Sequence, residues 1–188
     1  MYKVVLKFPL DFVIAITILT LLSPALLLVA IAICLEDGGP ALFKQVRVGK
    51  QLKPFTLFKF RSMPVDTENV SSINASDLKV TRVGAFIRRT NIDELPQLIN
   101  IARGDMSIVG PRPALPSQAN LIRMRTKRCV YECRPGLTGK AQINSYGGMP
   151  EEEKVERDAQ YSASITLIND IAIIFQTLGY LLKRPPVY

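Results

Sequence analysis

Asp93 and Glu94 stand side by side in Asn91-Ile92-Asp93-Glu94-Leu95-Pro96-Gln97, within a chain that carries 24 Lys and Arg against 16 Asp and Glu. Paired carboxylates can hold a hard divalent cation, or one of them can attack phosphorus as a nucleophile. They also suit a helix start for its dipole alone. With Asp93 as N-cap, Pro96 falls at N3, where its missing N–H would have had no intrahelical partner. Leu95, Leu98 and Ile99 then form an apolar stripe, and Gly104 is the stop. A helix start also attracts phosphate. A carboxylate beside a phosphate makes sense when a cation bridges them or when the carboxylate attacks. Arg88, Arg89 and Arg112 supply charge to offset the added anions. On the residues alone, the helix-start and the chemical readings both stand.

Composition narrows the chemistry. There is no histidine, which removes Ser-His-Asp triads, Cys-His dyads and His-containing zinc sites. No phosphate loop, dinucleotide fingerprint or nucleophile elbow occurs. The net charge of +8 favours anionic partners: phosphorylated small molecules, nucleic acid or an acidic membrane surface. Cys34, Cys129 and Cys133 read as reduced packing or surface thiols rather than as a two-sulfur metal site.

The elements that would position these residues start with a membrane segment. Phe12 to Leu35 runs 24 residues without a charge. As one helix it is ~36 Å long, enough for the ~30 Å bilayer core and too long for a signal-peptide core. Ser23-Pro24 lies at its midpoint. Pro24 leaves the Thr20 carbonyl without its donor, and the Ser23 hydroxyl can compensate a freed carbonyl. A kinked span and a hairpin that leaves on the side it entered both fit. Lys3 and Lys7 flank one end and Lys44, Arg47, Lys50 and Lys53 the other, which puts the body on the cytoplasmic side.

Beyond the acidic turn at 36–40, alternation around Gly49-Lys50 predicts a short β-hairpin over 41–61. Its second arm places Lys59 and Arg61 on one face and Phe58 and Phe60 on the other. The two cations either protect an edge strand or face a phosphate. Residues 64–77 read as a polar loop, with Asp66-Thr67-Glu68 a faint acidic motif. The basic residues Arg112, Arg123, Arg125, Lys127, Arg128, Arg134 and Lys140 suit a solvated helix face, a lipid-facing patch or a nucleotide pocket. Residues 134–144 read as a turn into a strand, and 151–158 as a charged helix surface. The apolar stretch 165–184, interrupted by Asn169, Asp170 and Gln176, fits core packing or a position along the membrane interface.

Taken in order, several motifs resemble the monotopic phosphoglycosyl transferases, also called bacterial sugar transferases. They are Ser23-Pro24, Gln45-Val46-Arg47-Val48-Gly49, Lys59-Phe60-Arg61-Ser62-Met63, Asp93-Glu94-Leu95-Pro96-Gln97-Leu98, the run from Gly104 to Pro113, and Pro135-Gly136-Leu137-Thr138-Gly139. The resemblance implies a helix-rich α+β fold: a re-entrant helix–break–helix over 1–35, bent at Ser23-Pro24, and a catalytic domain over 36–188 with interfacial amphipathic helices and a small β-hairpin. It places the protein on the cytoplasmic face of the bacterial inner membrane, without a nucleic-acid partner.

The implied reaction moves a sugar 1-phosphate from a UDP-sugar to a polyprenol phosphate with release of UMP, an initiating step of glycoconjugate synthesis. Asp93 matches the nucleophile that forms a covalent phosphosugar and contacts Mg²⁺; Glu94 matches its partner. Lys59, Arg61, Arg88 and Arg112 are expected to bind the donor's phosphates, with Pro111 also in the substrate-binding set. Lys140 stands where tryptophan is frequent, and Asn91 where serine is. The competing reading is a membrane-anchored basic protein that binds nucleic acid or anionic lipid without catalysis. The absence of tryptophan weakens its base-stacking form.

Overall fold

Apolar sequence without helix breakers other than Pro24 produces the longest element. In the computed structural model, which describes residues 2–65, 80–144 and 149–182, α1 runs from Lys7 to Asp37, entered through a π-helical turn at Tyr2–Leu6. Helical backbone continues through Pro24, so the expected helix–break–helix is one continuous helix with Pro24 inside it. The Ser23 hydroxyl donates to the Thr20 carbonyl at 2.8 Å, the acceptor that Pro24 cannot serve. This repair is the one the sequence predicts.

Both halves of α1 pack on the same body. Ala15, Ile18 and Leu19 join a cluster with Leu57, Leu98, Ile101 and Met106. Leu26, Val29, Ala30 and Ile33 join another with Phe60, Val83 and Ile87. Between them, residues 20–25 are all exposed. Polar contacts fix the two ends. Lys7 pairs with Asp170, which also accepts from Tyr2 Oη at 2.6 Å and Tyr161 Oη at 2.7 Å. Asp11 accepts from Ser107 Oγ at 2.6 Å. At the other end, Glu36 accepts from the Arg82 and Val83 amides, and Asp37 takes both arms of the Arg61 guanidinium. Removing one partner of a buried ion pair costs about 3–5 kcal/mol, so these contacts hold both ends of α1 to the body.

The predicted hairpin is present. Strands β1 (Leu42–Val48) and β2 (Pro54–Phe60) pair antiparallel, with Leu42 opposite Phe60 and Val48 opposite Pro54. A 3₁₀ turn at Lys50–Leu52 joins them. Leu57 and Phe60 are buried in separate clusters, so the second arm is covered on both faces.

Helix α2 spans Arg82–Arg89, capped by the Thr81 hydroxyl, and α3 spans Gln97–Arg103. Gly104 ends α3 at φ 82°, in the left-handed region that glycine enters without a Cβ penalty. A parallel pair follows, β3 (Ser107–Val109) on β4 (Gly136–Thr138). Strand β4 is the one expected in 134–144, but it precedes the turn at Gln142–Asn144 rather than following one, and its pairing with β3 is not predicted by the sequence. A Cβ at Gly136 would lie 2.0 Å from the Gly110 nitrogen, so this approach requires glycine.

Helices α4 (Ala119–Lys127), α5 (Glu151–Ala163) and α6 (Leu167–Leu182) complete the fold. It is a helix-rich α+β arrangement with small β elements. Two expectations need correction. The stretch 151–158 is not merely a charged surface: Val155 and Asp158 are buried, and Asp158 pairs with buried Arg125 of α4 at 2.6 Å. Asp170 does not simply interrupt an apolar run; it is the buried hub between α6 and the start of α1. The opposite side of α6 leaves Ile168, Ile171, Phe175 and Leu178 exposed. The Asp66-Thr67-Glu68 motif lies outside the described residues.

Candidate active site

Asn91 adopts φ 55° and opens a 3₁₀ turn over Ile92–Glu94. Asparagine tolerates that left-handed backbone better than most residues. Asp93 is therefore inside this turn and is not an N-cap. Helix α3 begins four residues later, with Pro96 as its N-cap. The predicted helix start is displaced because the left-handed residue and the 3₁₀ turn take up the segment first. Of the predicted stripe, Leu98 is buried with Ile101, while Leu95 and Ile99 are half-buried.

The two carboxylates differ in their partners. Glu94 Oε1 accepts from Lys59 Nζ at 2.6 Å and from Arg112 Nη2 at 3.1 Å. Burial alone would raise the Glu94 pKa. Lys59 and then Arg112 outweigh it and hold the carboxyl at about 2. Asp93 is 9% exposed, and its carboxylate accepts no hydrogen bond among the described residues. Burial pushes its pKa up, Lys59 opposes that, adjacent Glu94 adds to the rise, and Arg88 and Arg112 lower it. Two neighbouring acids driven in opposite directions are suited to different roles. Glu94 is a fixed anion that organises cations. Asp93 keeps its lone pairs available.

Lys59 comes from β2, which Asn100 of α3 ties down. The buried Asn100 side chain donates to the Thr56 carbonyl at 2.7 Å and accepts from the Phe58 amide at 3.1 Å. Strand and turn are thereby held in register beside each other. Arg112 comes from a strap, Pro111 to Ala114, in which each carbonyl has a donor. Gly136 N reaches Pro111 O at 2.9 Å, Arg125 Nη1 reaches Arg112 O at 2.7 Å, Arg47 Nη1 reaches Pro113 O at 3.1 Å, and Val48 N reaches Ala114 O at 3.0 Å. Arg88 Nε is held by Ser62 Oγ at 2.8 Å.

The fold brings Asp93, Glu94, Lys59, Arg88 and Arg112 together. Arg61 is directed elsewhere, to Asp37 and the Pro40 carbonyl. Pro111 is buried in the strap, and Lys140 donates to Gln160 on α5 at 2.8 Å. Arg47 belongs to the group although the sequence reading left it in a strand and a flanking charge. Burial foremost, and nearby Arg112, lower its pKa to about 10 against the opposing pull of Glu94. Counting Arg47, four cations face two carboxylates, a surplus of two positive charges that a diphosphate can match. The residues also fit a magnesium ion held by one or two carboxylates and phosphate oxygens. Among the described residues no group of three acidic, His or Cys side chains could hold a metal by itself.

The Glu94 clamp has a pH signature. A carboxyl held below its ordinary value contributes stability that is fully present above the unfolded pKa and is lost as pH falls through the folded one. In Lys59→Gln, unfolding free energy at neutral pH should drop by about 1.5–3 kcal/mol, the worth of a charged hydrogen bond. The denaturant-unfolding curves of variant and parent should converge as pH falls from 4.5 toward about 2. A loss independent of pH would contradict the clamp.

The chain as a whole is similar to known proteins. A UDP-glucose:undecaprenyl-phosphate glucose-1-phosphate transferase of Escherichia coli is 41% identical over 177 residues, covering 89% of this chain. The protein of that name from Caulobacter vibrioides is 40% identical over 188 residues, covering 95% of this chain. The exopolysaccharide production protein PSS of Rhizobium leguminosarum is 38% identical over 199 residues, covering 96% of this chain. The chain spans 38%, 70% and 96% of the lengths of these three relatives, respectively. The profile of the family described as bacterial sugar transferase matches residues 2–184, nearly the whole sequence, and the chain belongs to that family.

Proposed function

We propose that this protein transfers a sugar 1-phosphate from a UDP-sugar to a polyprenol phosphate through a covalent intermediate on Asp93. The observation that carries this reading is the asymmetry of the carboxylate pair: Glu94 is locked by Lys59 and Arg112, while Asp93 has no hydrogen-bond partner among the described residues. An oxygen of Asp93 attacks the sugar-bearing phosphorus. The bond to the UMP oxygen breaks, and UMP leaves with that electron pair. An oxygen of the polyprenol phosphate then attacks the same phosphorus, forming the diphosphate and freeing Asp93. Splitting one displacement into two needs no histidine.

Lys59, Arg88, Arg112 and Arg47 bind and orient the donor diphosphate, and their charge stabilises the departing UMP. Mg²⁺, held by Asp93 with phosphate oxygens, would supply further charge neutralisation on the diphosphate. The names of the relatives include glucose, galactose and N-acetylgalactosamine donors, so a panel of those UDP-sugars is the natural assay. Purified protein should release UMP from at least one of them, and Asp93→Asn should reduce that release by 10³-fold or more, with its thermal midpoint retained. Substantial UMP release by Asp93→Asn would exclude Asp93 as the nucleophile.

We also infer that α1 is re-entrant, dipping into the cytoplasmic leaflet with its bend at Ser23-Pro24. Both of its ends are fastened to one body while residues 20–25 project uncovered. A transverse span would pull one of those ends away from the buried partners of Lys7 or Asp37. The exposed apolar side of α6 lies along the interface in this arrangement. Val4 is exposed and offers a test. Val4→Cys, in a background whose native cysteines are replaced, should be protected from an impermeant thiol reagent in intact cells and react after permeabilisation. Labelling in intact cells would establish a transverse span.

A further inference from the structure

We infer that Arg125 is a positioning residue for Arg112: by holding the Arg112 carbonyl it fixes the strap from which the Arg112 side chain reaches Glu94 and the donor diphosphate. The inference rests on the reading of this site as a UDP-sugar site. The Arg112 side chain is half exposed, so free rotation would cost it much of its binding value. Pro111 and Pro113 on either side restrict φ but carry no N–H, so the strap cannot anchor itself through donors at those positions. It is held through its carbonyls instead. The Arg112 carbonyl is served by Arg125 Nη1 at 2.7 Å.

Arg125 is well suited to this task. Its side chain is 4% exposed, and Nη2 is fixed by Asp158 Oδ2 at 2.6 Å, itself 2% exposed. One guanidinium thus bridges α5 and the strap, with both contacts in its rigid plane. Stability alone does not account for it. Among the described residues, Arg125 Nε and Tyr131 Oη are buried and neither makes a hydrogen bond of ordinary geometry, although the two side chains interact, and both residues line a small cavity with Pro111 and Pro113. A buried pair of this kind repays its desolvation poorly, and apolar residues of similar volume commonly do as well or better. What apolar residues cannot supply is a donor for the Arg112 carbonyl.

A double-mutant cycle tests the inference. Arg125→Lys keeps a cation beside Asp158 but has a single ammonium head, which cannot span both acceptors. Initial rates of UMP release and KM are measured in the presence of polyprenol phosphate with UDP-glucose, UDP-galactose and UDP-N-acetylgalactosamine, alongside the thermal midpoint. In the parent, Arg125→Lys should raise KM for the accepted donor about 10-fold, with a smaller effect on kcat. In an Arg112→Met background the same change should alter KM less than about 2-fold, while lowering the thermal midpoint equally in both backgrounds. A 10-fold loss in both backgrounds, or none in the parent, overturns the positioning role. If Arg125→Lys fails to fold, Arg125→Met/Asp158→Leu removes both charges together, and the same two outcomes apply. Parent protein inactive on every donor would instead refute the enzymatic reading.

Discussion

Glu94 Oε1 accepts from two cations delivered by separate parts of the chain: Lys59 at the end of the β-hairpin and Arg112 on the strap. Two adjacent carboxylates on one short turn repel, and their burial makes that repulsion costly unless positive charge is close. Much of the architecture serves this need. Asn100 fastens β2 to α3, so Lys59 stays beside the turn. The strap is pinned at each of its four carbonyls, so Arg112 arrives from a fixed backbone. Arg88 and Arg47 add charge beyond what the carboxylates require. The surplus is what a diphosphate would meet.

The same body carries α1. Ala15 and Leu19 pack against Leu98 and Ile101 of α3, the helix that follows the carboxylate turn. Ile33 packs against Ile87 of α2, one residue from Arg88. The apolar helix is therefore built into the walls around the site and is not a detachable tether. On the proposed function, a donor soluble in water and an acceptor held in lipid would meet at such a junction. The exposed apolar side chains of α1 and α6 give the body a lipid-compatible side.

Local signals in the sequence were strong where the physics is local. Alternation predicted the hairpin, Gly104 predicted the end of α3, and Ser23 beside Pro24 predicted the carbonyl repair. Adjacent Asp93 and Glu94 drew attention to the site. Local rules failed where a residue's partner is distant. Asp158 looked like surface charge and Asp170 like an interruption of an apolar run, because nothing near them in sequence reveals Arg125, Lys7 or Tyr161. Arg61 looked equivalent to Lys59 from strand alternation, but it lies just past β2, where Asp37 captures it. The β3–β4 pair joins segments only three residues long and far apart in sequence, too short for periodicity to register. Four carbonyl contacts on a proline-flanked strap leave no compositional trace.

The most direct test of the central claim, that the free carboxylate and not the clamped one bears the phosphosugar, is to locate the covalent adduct. Protein mixed with a UDP-sugar and no polyprenol phosphate, then quenched and weighed intact, should gain the mass of one sugar phosphate. Peptide mapping should put that mass on Asp93. The adduct should disappear when polyprenol phosphate is added before the quench. An adduct on Glu94 or on any other residue would contradict the division of roles described here, as would UMP formation through a complex that never becomes covalent.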